Sequence, residues 1–162
     1  MYRKTIVVAF ALLLITPAGA PWLWSQSQKG GDIAVVVNPA TPVDELTMAD
    51  VRRVFLGERQ YWKSDLPVIL LVRAPVARER DVVLKTIYQM TESQFKQYWV
   101  AKIFRSEAVS APKIVYSSDM TNQLVSVIPG SIAFMEARAV APGLKIIKVD
   151  GRMPGEQGYP LR

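Results

Sequence analysis

The chain contains neither cysteine nor histidine in its 162 residues. The lack of cysteine excludes structural disulfides, a lipid-modified cysteine anchor, thiol catalysis and thiolate metal sites. The lack of histidine excludes histidine-dependent catalytic triads and His-ligated zinc. We therefore predict that the protein is not an enzyme and that it uses no metal or cofactor. A carboxylate pair formed by Asp119 with Glu136 or Asp150 is the catalytic alternative, and no residue spacing demands it.

The apolar run near the N-terminus is too short to span a bilayer. It covers residues 6–15, which are ten apolar residues, whereas a transmembrane helix needs about 20. Because the run follows Arg3 and Lys4 and precedes small, turn-forming residues, we predict a secretory signal peptide at 1–20 and a periplasmic protein. A cleaved signal and an uncleaved anchor are both compatible with this sequence. Residues 21–32 are rich in Ser, Gln and Gly and are predicted to be a flexible leader.

The charge distribution lacks a basic stripe. The net charge is +6, but the arginines and lysines alternate along the chain with aspartates and glutamates. Nucleic-acid-binding proteins usually concentrate basic residues on one face with aromatic residues between them. We therefore predict a solvated surface that binds no nucleic acid and that meets a membrane only through an uncleaved signal segment.

From residue 33 onward, strand and helix signals alternate. Apolar, β-branched runs predict five strands, and 3.6-residue periodicity predicts four helices, the last of which opens at Ser117-Ser118-Asp119 and ends before Pro129-Gly130. The predicted strands are 33–37, 67–72, 113–116, 131–135 and 144–149, and the other helices are 48–56, 78–90 and 92–104. This alternation predicts an α/β domain at 33–162, with a mixed sheet of about five strands flanked by helices. Ligands of such sheets bind beyond the carboxyl ends of strands, which nominates the loops 38–41, 73–77 and 116–119.

Three helix boundaries can be predicted from local residues in the sequence. Thr47 occupies an N-cap position, and Gly57 provides a left-handed stop after the same short helix. Thr91 and Gln94 have the spacing of a capping box. In the helix that follows, Phe95, Tyr98/Trp99 and Ile103 recur at helical spacing, and we predict that they face the core rather than a cofactor.

An ordered set of motifs resembles the phosphate-binding proteins of ABC transporters. Phe55, Gly57 and Trp62 are similar to a Phe-x-Gly then Trp signature in the second lobe of that family. The segment 126–134 resembles its Pro-Gly turn before a strand; further similar segments are 33–38, 91–104 and 158–161. The chain is thus identified as a short, single-domain member of the phosphate ABC transporter substrate-binding-protein-like family. The resemblance implies one lobe of the type II periplasmic-binding-protein-like fold.

The resemblance also implies an oxyanion site, from which this sequence departs. In the family, an Arg-Ser/Ala-Asp-Gly-Ser-Gly-Thr turn wraps the phosphate after a central strand. Here the corresponding residues are Arg-Ala-Pro-Val-Ala-Arg-Glu at 73–79, so that only Arg73 matches, Pro75 removes an amide donor and Glu79 adds a negative charge. The candidate ligand residues for phosphate or another small oxyanion are Arg73, Arg78, Ser117, Ser118 and Asn38. The alternative is an interaction or assembly module of an envelope complex that has lost ligand binding.

Overall fold

The computed structural model describes residues 31–63 and 65–162. The predicted signal peptide at 1–20 and residues 21–30 of the predicted leader lie outside the described residues. No helix within the described ranges is long and apolar enough to cross a membrane.

A five-stranded mixed sheet forms the centre of the domain, as predicted. The strands are β1 (Ile33–Val37), β3 (Ile69–Arg73), β4 (Lys113–Val115), β5 (Ser131–Glu136) and β6 (Lys145–Ile146). Their spatial order is β4-β3-β5-β1-β6. Strand β3 runs parallel to both β4 and β5, whereas β1 runs antiparallel to β5 and β6.

The predicted strand 144–149 is divided in the structure between two sheets. Its first part is β6, and its last part is β7 (Lys148–Val149), which pairs in parallel with the short strand β2 (Glu45–Leu46). Between them, the Ile147 amide donates to the Val35 carbonyl at 3.0 Å, and the Lys148 amide donates to the Asp44 carbonyl at 3.0 Å. The chain thus changes partner within two residues. A two-residue strand such as β2 is too short to show alternation, and for this reason the sequence did not predict it.

Four α-helices flank the sheet: α1 (Met48–Phe55), α2 (Arg78–Val83), α3 (Glu92–Phe104) and α4 (Ser118–Val127). The single helix predicted at 78–90 is wrong in its second half, because α2 continues as a π-helical turn at Leu84–Tyr88 and ends at Gln89 in the left-handed conformation (φ 54°). The wider turn buries Leu84, Ile87 and Tyr88 together. Wider turns of this kind are rare, and periodicity of 3.6 residues does not predict them.

The core occupies both faces of the sheet. Alternate residues of β1 point into two apolar clusters, one containing Val35 with α1 and α3, the other containing Val36 with α4. Phe95 and Trp99 of α3 are buried in the first cluster, which confirms their prediction as core residues. The prediction is wrong for Ile103, which is 39% exposed, because the last turn of α3 and the residues after it lie at the surface.

The predicted helix boundaries at Thr47, Gly57 and Thr91 are confirmed. The Asp50 amide donates to the Thr47 hydroxyl at 3.1 Å, and the Thr91–Gln94 capping box has both of its hydrogen bonds, at 3.2 and 2.9 Å. Gly57 is left-handed, with φ of 66°, and a Cβ there would lie 2.7 Å from Cη2 of Trp99. Gly57 is therefore required both by the backbone conformation and by the close approach of an indole ring.

The two demands on Gly57 can be separated by substitution. Gly143 is also left-handed (φ 89°), but no atom lies within 4 Å of the Cβ that a substitution would add. We expect Gly143→Ala to lower the free energy of unfolding by about 1–2 kcal/mol, because of conformation alone. Gly57→Ala should cost a further ~1–3 kcal/mol, because Trp99 must also move. Urea unfolding followed by circular dichroism measures both values, and equal losses in the two variants would contradict the crowding at Gly57.

Candidate functional site

The carboxyl ends of β3, β4 and β5 meet at one edge of the sheet, which we call the carboxyl edge. Arg73 ends β3 and is in register with Val115 of β4, and the Ala74 amide donates to the Val115 carbonyl at 2.9 Å. Ser117 and Ser118 follow directly, at the start of α4. Arg78, at the start of α2, lies 3.6 Å from the Glu136 carboxylate at the end of β5. Four of the five predicted ligand residues are therefore placed at this edge.

Asn38 lies at the opposite edge of the sheet. Because β1 is antiparallel to β5, its carboxyl end meets the beginning of β5, where the Asn38 amide donates to the Ser131 carbonyl at 3.1 Å. The Asn38 side-chain amide donates to the carbonyls of Val125 and Ser126 at 2.8 and 3.0 Å, which ties the end of α4 to the sheet. The prediction that loop 38–41 joins the other two loops is therefore wrong, since it assumed a common strand direction. Asn38 has a structural role here.

The guanidinium of Arg73 faces a carboxylate of the same chain. The side chain is 12% exposed, and its Nε lies 3.6 Å from Oε1 of the buried Glu79. At that distance the pair is an ion pair without a good hydrogen bond, and Nε and Nη1 of Arg73 have no hydrogen-bond acceptor among the described residues. Arg73 is therefore neutralised by Glu79, while part of its donor capacity is unused.

Arg78 is similarly engaged, although it is more exposed. Its Nη1 donates to the Gly31 carbonyl at 3.0 Å and lies 3.6 Å from Oε1 of Glu136. The same carboxylate also accepts from Nε of Arg138 at 2.7 Å. Arg78 thus belongs to a surface network in which two cations share one acid.

The start of α4 adds backbone donors to the carboxyl edge. Ser117 is the N-cap, and its hydroxyl accepts from the Met120 amide at 3.0 Å. The positive end of the helix dipole favours an anion here, but Asp119 in the first turn already supplies a negative charge. Each positive feature of the carboxyl edge is thus accompanied by an acidic side chain.

Arg80 is the residue of this region that the sequence analysis placed wrongly. It was counted among the solvated basic residues, but it is 2% exposed and forms a bidentate pair with Glu92, at 2.9 and 3.0 Å. Its Nη1 donates to the Arg73 carbonyl at 3.1 Å, and its guanidinium carbon lies 4.2 Å from the ring centre of Phe95. The sequence does contain a signal for the burial of Arg80. The residue precedes the inward-facing Val83 and Ile87 by three and seven residues, which places it on the same helix face.

Burial affects the neighbouring tyrosine as well. The Tyr88 hydroxyl has no hydrogen-bond partner among the described residues, and desolvation raises the pKa of this group well above its ordinary value, with Arg80 opposing the shift. Tyr88 therefore remains neutral and packs edge-on against Phe95, with ring centres 4.8 Å apart. Its role is in packing beside the Arg80–Glu92 pair.

No family model matches the sequence. Solved structures do resemble the fold. An ABC-type phosphate transport receptor from Vibrio cholerae matches with a TM-score of 0.61 and 20% identity, over 76% of this chain and 48% of that one. PstS from Borrelia burgdorferi matches with a TM-score of 0.62 and 15% identity, over 81% and 54%.

A third match is to a protein assigned as a phosphate ABC transporter substrate-binding protein, from Clostridium perfringens, solved with bound phosphate. The TM-score is 0.62 and the identity 20%, over 76% of this chain and 47% of that one. This chain has the fold of part of a phosphate ABC transporter substrate-binding protein. The resemblance inferred from Phe55, Gly57 and Trp62 is thereby confirmed at the level of fold, and the chain spans about half the length of these proteins.

The Arg80–Glu92 pair should contribute strongly to stability. Glu92→Gln removes the charge and one acceptor from the buried guanidinium, so we expect the free energy of unfolding to fall by about 1–3 kcal/mol. Glu107→Gln is the matched control, since Glu107 forms a comparable bidentate pair with Arg105 at the surface, and it should change little. Chemical unfolding of both variants tests this, and similar losses would contradict a special role for burial.

Proposed function

We propose that the chain is an exported, solute-binding-protein-like domain that no longer captures a free oxyanion and instead acts as a protein-binding module in the cell envelope. The observation that supports the loss of oxyanion capture is the Arg73–Glu79 ion pair. The likeness to the solved phosphate transport proteins supports the solute-binding-protein-like fold. The predicted signal peptide supports export to the periplasm. The absence of cysteine and histidine agrees with a non-catalytic role.

The electrostatics of the carboxyl edge argue against anion capture. A micromolar affinity corresponds to about 8 kcal/mol, and hydrogen bonds to charged groups contribute roughly 1.5–3 kcal/mol each. Here the cation that would supply such bonds, Arg73, is opposed by Glu79, which is 6% exposed and cannot turn away into solvent. A phosphate at Arg73 would have to lie beside a buried carboxylate, and the like charges would repel each other.

Oxyanion binding is the second candidate function, and one observation favours it. Nε and Nη1 of Arg73 are buried without a hydrogen-bond acceptor. An anion reaching Arg73 through the carboxyl edge, with the first amides of α4 nearby, would satisfy these donors. Which candidate is correct depends on two opposing free energies. One is the repulsion between the anion and Glu79, and the other is the gain from hydrogen bonds between the anion and Nε and Nη1 of Arg73.

Titration calorimetry with phosphate and with sulfate decides between the two candidates. We expect no binding heat from the unchanged protein at millimolar ligand. Glu79→Gln removes the repelling charge with little change of shape, and it should give measurable heats with both anions at millimolar ligand, a gain of about tenfold or more over the detection limit for the unchanged protein, corresponding to ~1.4 kcal/mol. Glu107→Gln removes one acid from the surface and should leave binding unchanged.

Micromolar binding of phosphate by the unchanged protein would contradict the loss of anion capture and support the second candidate. If Glu79→Gln binds no better than the unchanged protein, Glu79 is not the cause of the loss.

The outer face of α3 is the surface that supports protein binding. Val100 and Phe104 are 70% and 89% exposed, and Ile103 beside them is also exposed. Lys96 lies one turn before Val100 on the same face and is solvent-exposed. We call this set of four residues the α3 face. Its chemistry fits a partner protein that has an apolar patch with an acidic rim.

Photo-crosslinking in the envelope of the native host tests this surface. A photoreactive phenylalanine analogue at Phe104 should give one discrete adduct with another protein, and the same analogue at Val127, an exposed apolar residue of α4, should not. In the purified pair, Phe104→Ser and Lys96→Glu should each weaken the complex at least tenfold, while Val127→Ser should not. An adduct only with a second copy of this chain, or equal adducts from both positions, would contradict the proposal.

A further inference from the structure

A cavity of about 150 Å³ lies at the amino end of β3, away from the carboxyl edge. It is enclosed by the end of α1, the segment 57–61, the beginning of β3, α3 and the segment 108–111. Because Leu70 is the lining residue of β3 nearest to Arg73, this cavity and Arg73 are separated by about 10 Å along the strand. The cavity is therefore a separate feature from the candidate oxyanion site.

The inner wall of the cavity is apolar. Val54, Leu70, Trp99 and Ala108 line it, and all four are buried. An apolar cavity of about this volume is large enough to take a single six-membered ring. The inner wall thus suits one small ring or a branched aliphatic chain.

One charged side chain gives the cavity a chemical preference. Arg59 is the one charged residue among the described residues that line the cavity, and it lies there with the exposed Tyr61 and Ser110. Trp99 is 4% exposed, and its indole Nε1 is buried without a hydrogen-bond partner among the described residues, so the ring offers the cavity an apolar surface. A cation beside an apolar wall favours a ligand that carries negative charge.

Gly57, from the Phe-x-Gly motif, is part of the cavity wall. The Cβ of any other residue there would lie 2.7 Å from the Trp99 ring, so the ring can occupy its place only beside glycine. Trp62 of the same motif lies under Arg59, with 5.5 Å between the guanidinium carbon and the ring centre. The motif thus positions both the Trp99 ring and the Arg59 side chain at the cavity.

We propose that this cavity is a binding site for a small apolar carboxylate, with a single ring or branched chain in the inner wall and the carboxylate at Arg59. The site does not depend on the carboxyl edge.

The purified protein can be titrated with benzoate and with benzyl alcohol, its uncharged counterpart, while the indole N–H signals are followed by ¹H–¹⁵N NMR. The protein has four tryptophans, and loss of one signal in Trp99→Phe assigns the signal of Trp99. We expect benzoate to shift this signal in a saturable manner with a millimolar dissociation constant, and benzyl alcohol to bind at least fivefold more weakly.

Arg59→Gln provides the decisive comparison, because Arg59 is not buried and we expect the variant to fold, as its circular dichroism spectrum would show. It should weaken benzoate at least fivefold and leave benzyl alcohol unchanged. Arg53→Gln, an exposed arginine of α1 outside the cavity lining, should change neither. No shift of the Trp99 signal with either probe would overturn the proposal. Equal affinities for the two probes, or an effect of Arg53→Gln as large as that of Arg59→Gln, would overturn the carboxylate preference.

Discussion

The buried guanidinium of Arg80 holds together the three elements on which the candidate sites depend. Arg80 itself belongs to α2. Its guanidinium pairs with Glu92 at the start of α3 and donates to the carbonyl of Arg73 at the end of β3. A buried charge of this kind is tolerated only when its donors are satisfied, and here Phe95 also covers it. Since removal of any one partner would leave a charge in the apolar interior, the relative positions of α2, α3 and β3 are strongly determined.

The position of α2 in turn determines the chemistry of the carboxyl edge. Glu79 and Arg80 are adjacent, so that fixing Arg80 between Glu92 and the Arg73 carbonyl also keeps Glu79 beside the Arg73 guanidinium. An anion-binding loop would present backbone amides at this place, whereas this chain presents a carboxylate. The pairing of Arg73 with an acid of its own chain is therefore a consequence of how α2 is anchored.

Features determined by neighbouring residues could be predicted from the sequence, and features determined by distant contacts could not. The caps at Thr47 and Thr91 and the stop at Gly57 involve only a few consecutive residues, and all three are confirmed. The sequence groups Asn38 with Arg73 as candidate ligand residues because strand direction, which is set by pairing with β5, cannot be read from strand composition. The charge of Arg80 predicts a solvated side chain, although burial of an arginine is possible where a distant carboxylate compensates it.

The two ends of β3 differ in their balance of positive and negative side chains. At the carboxyl end, acids accompany each positive feature, while at the amino end a cation borders an apolar cavity without an acid among its described lining residues. An anion with an apolar body would find at the amino end both the volume and the positive charge that the carboxyl edge does not offer it. The Phe-x-Gly and Trp residues shape the cavity end of this strand rather than the oxyanion end. Likeness in these residues therefore indicates a fold similar to that of phosphate-binding proteins, and it carries no information about whether phosphate is bound.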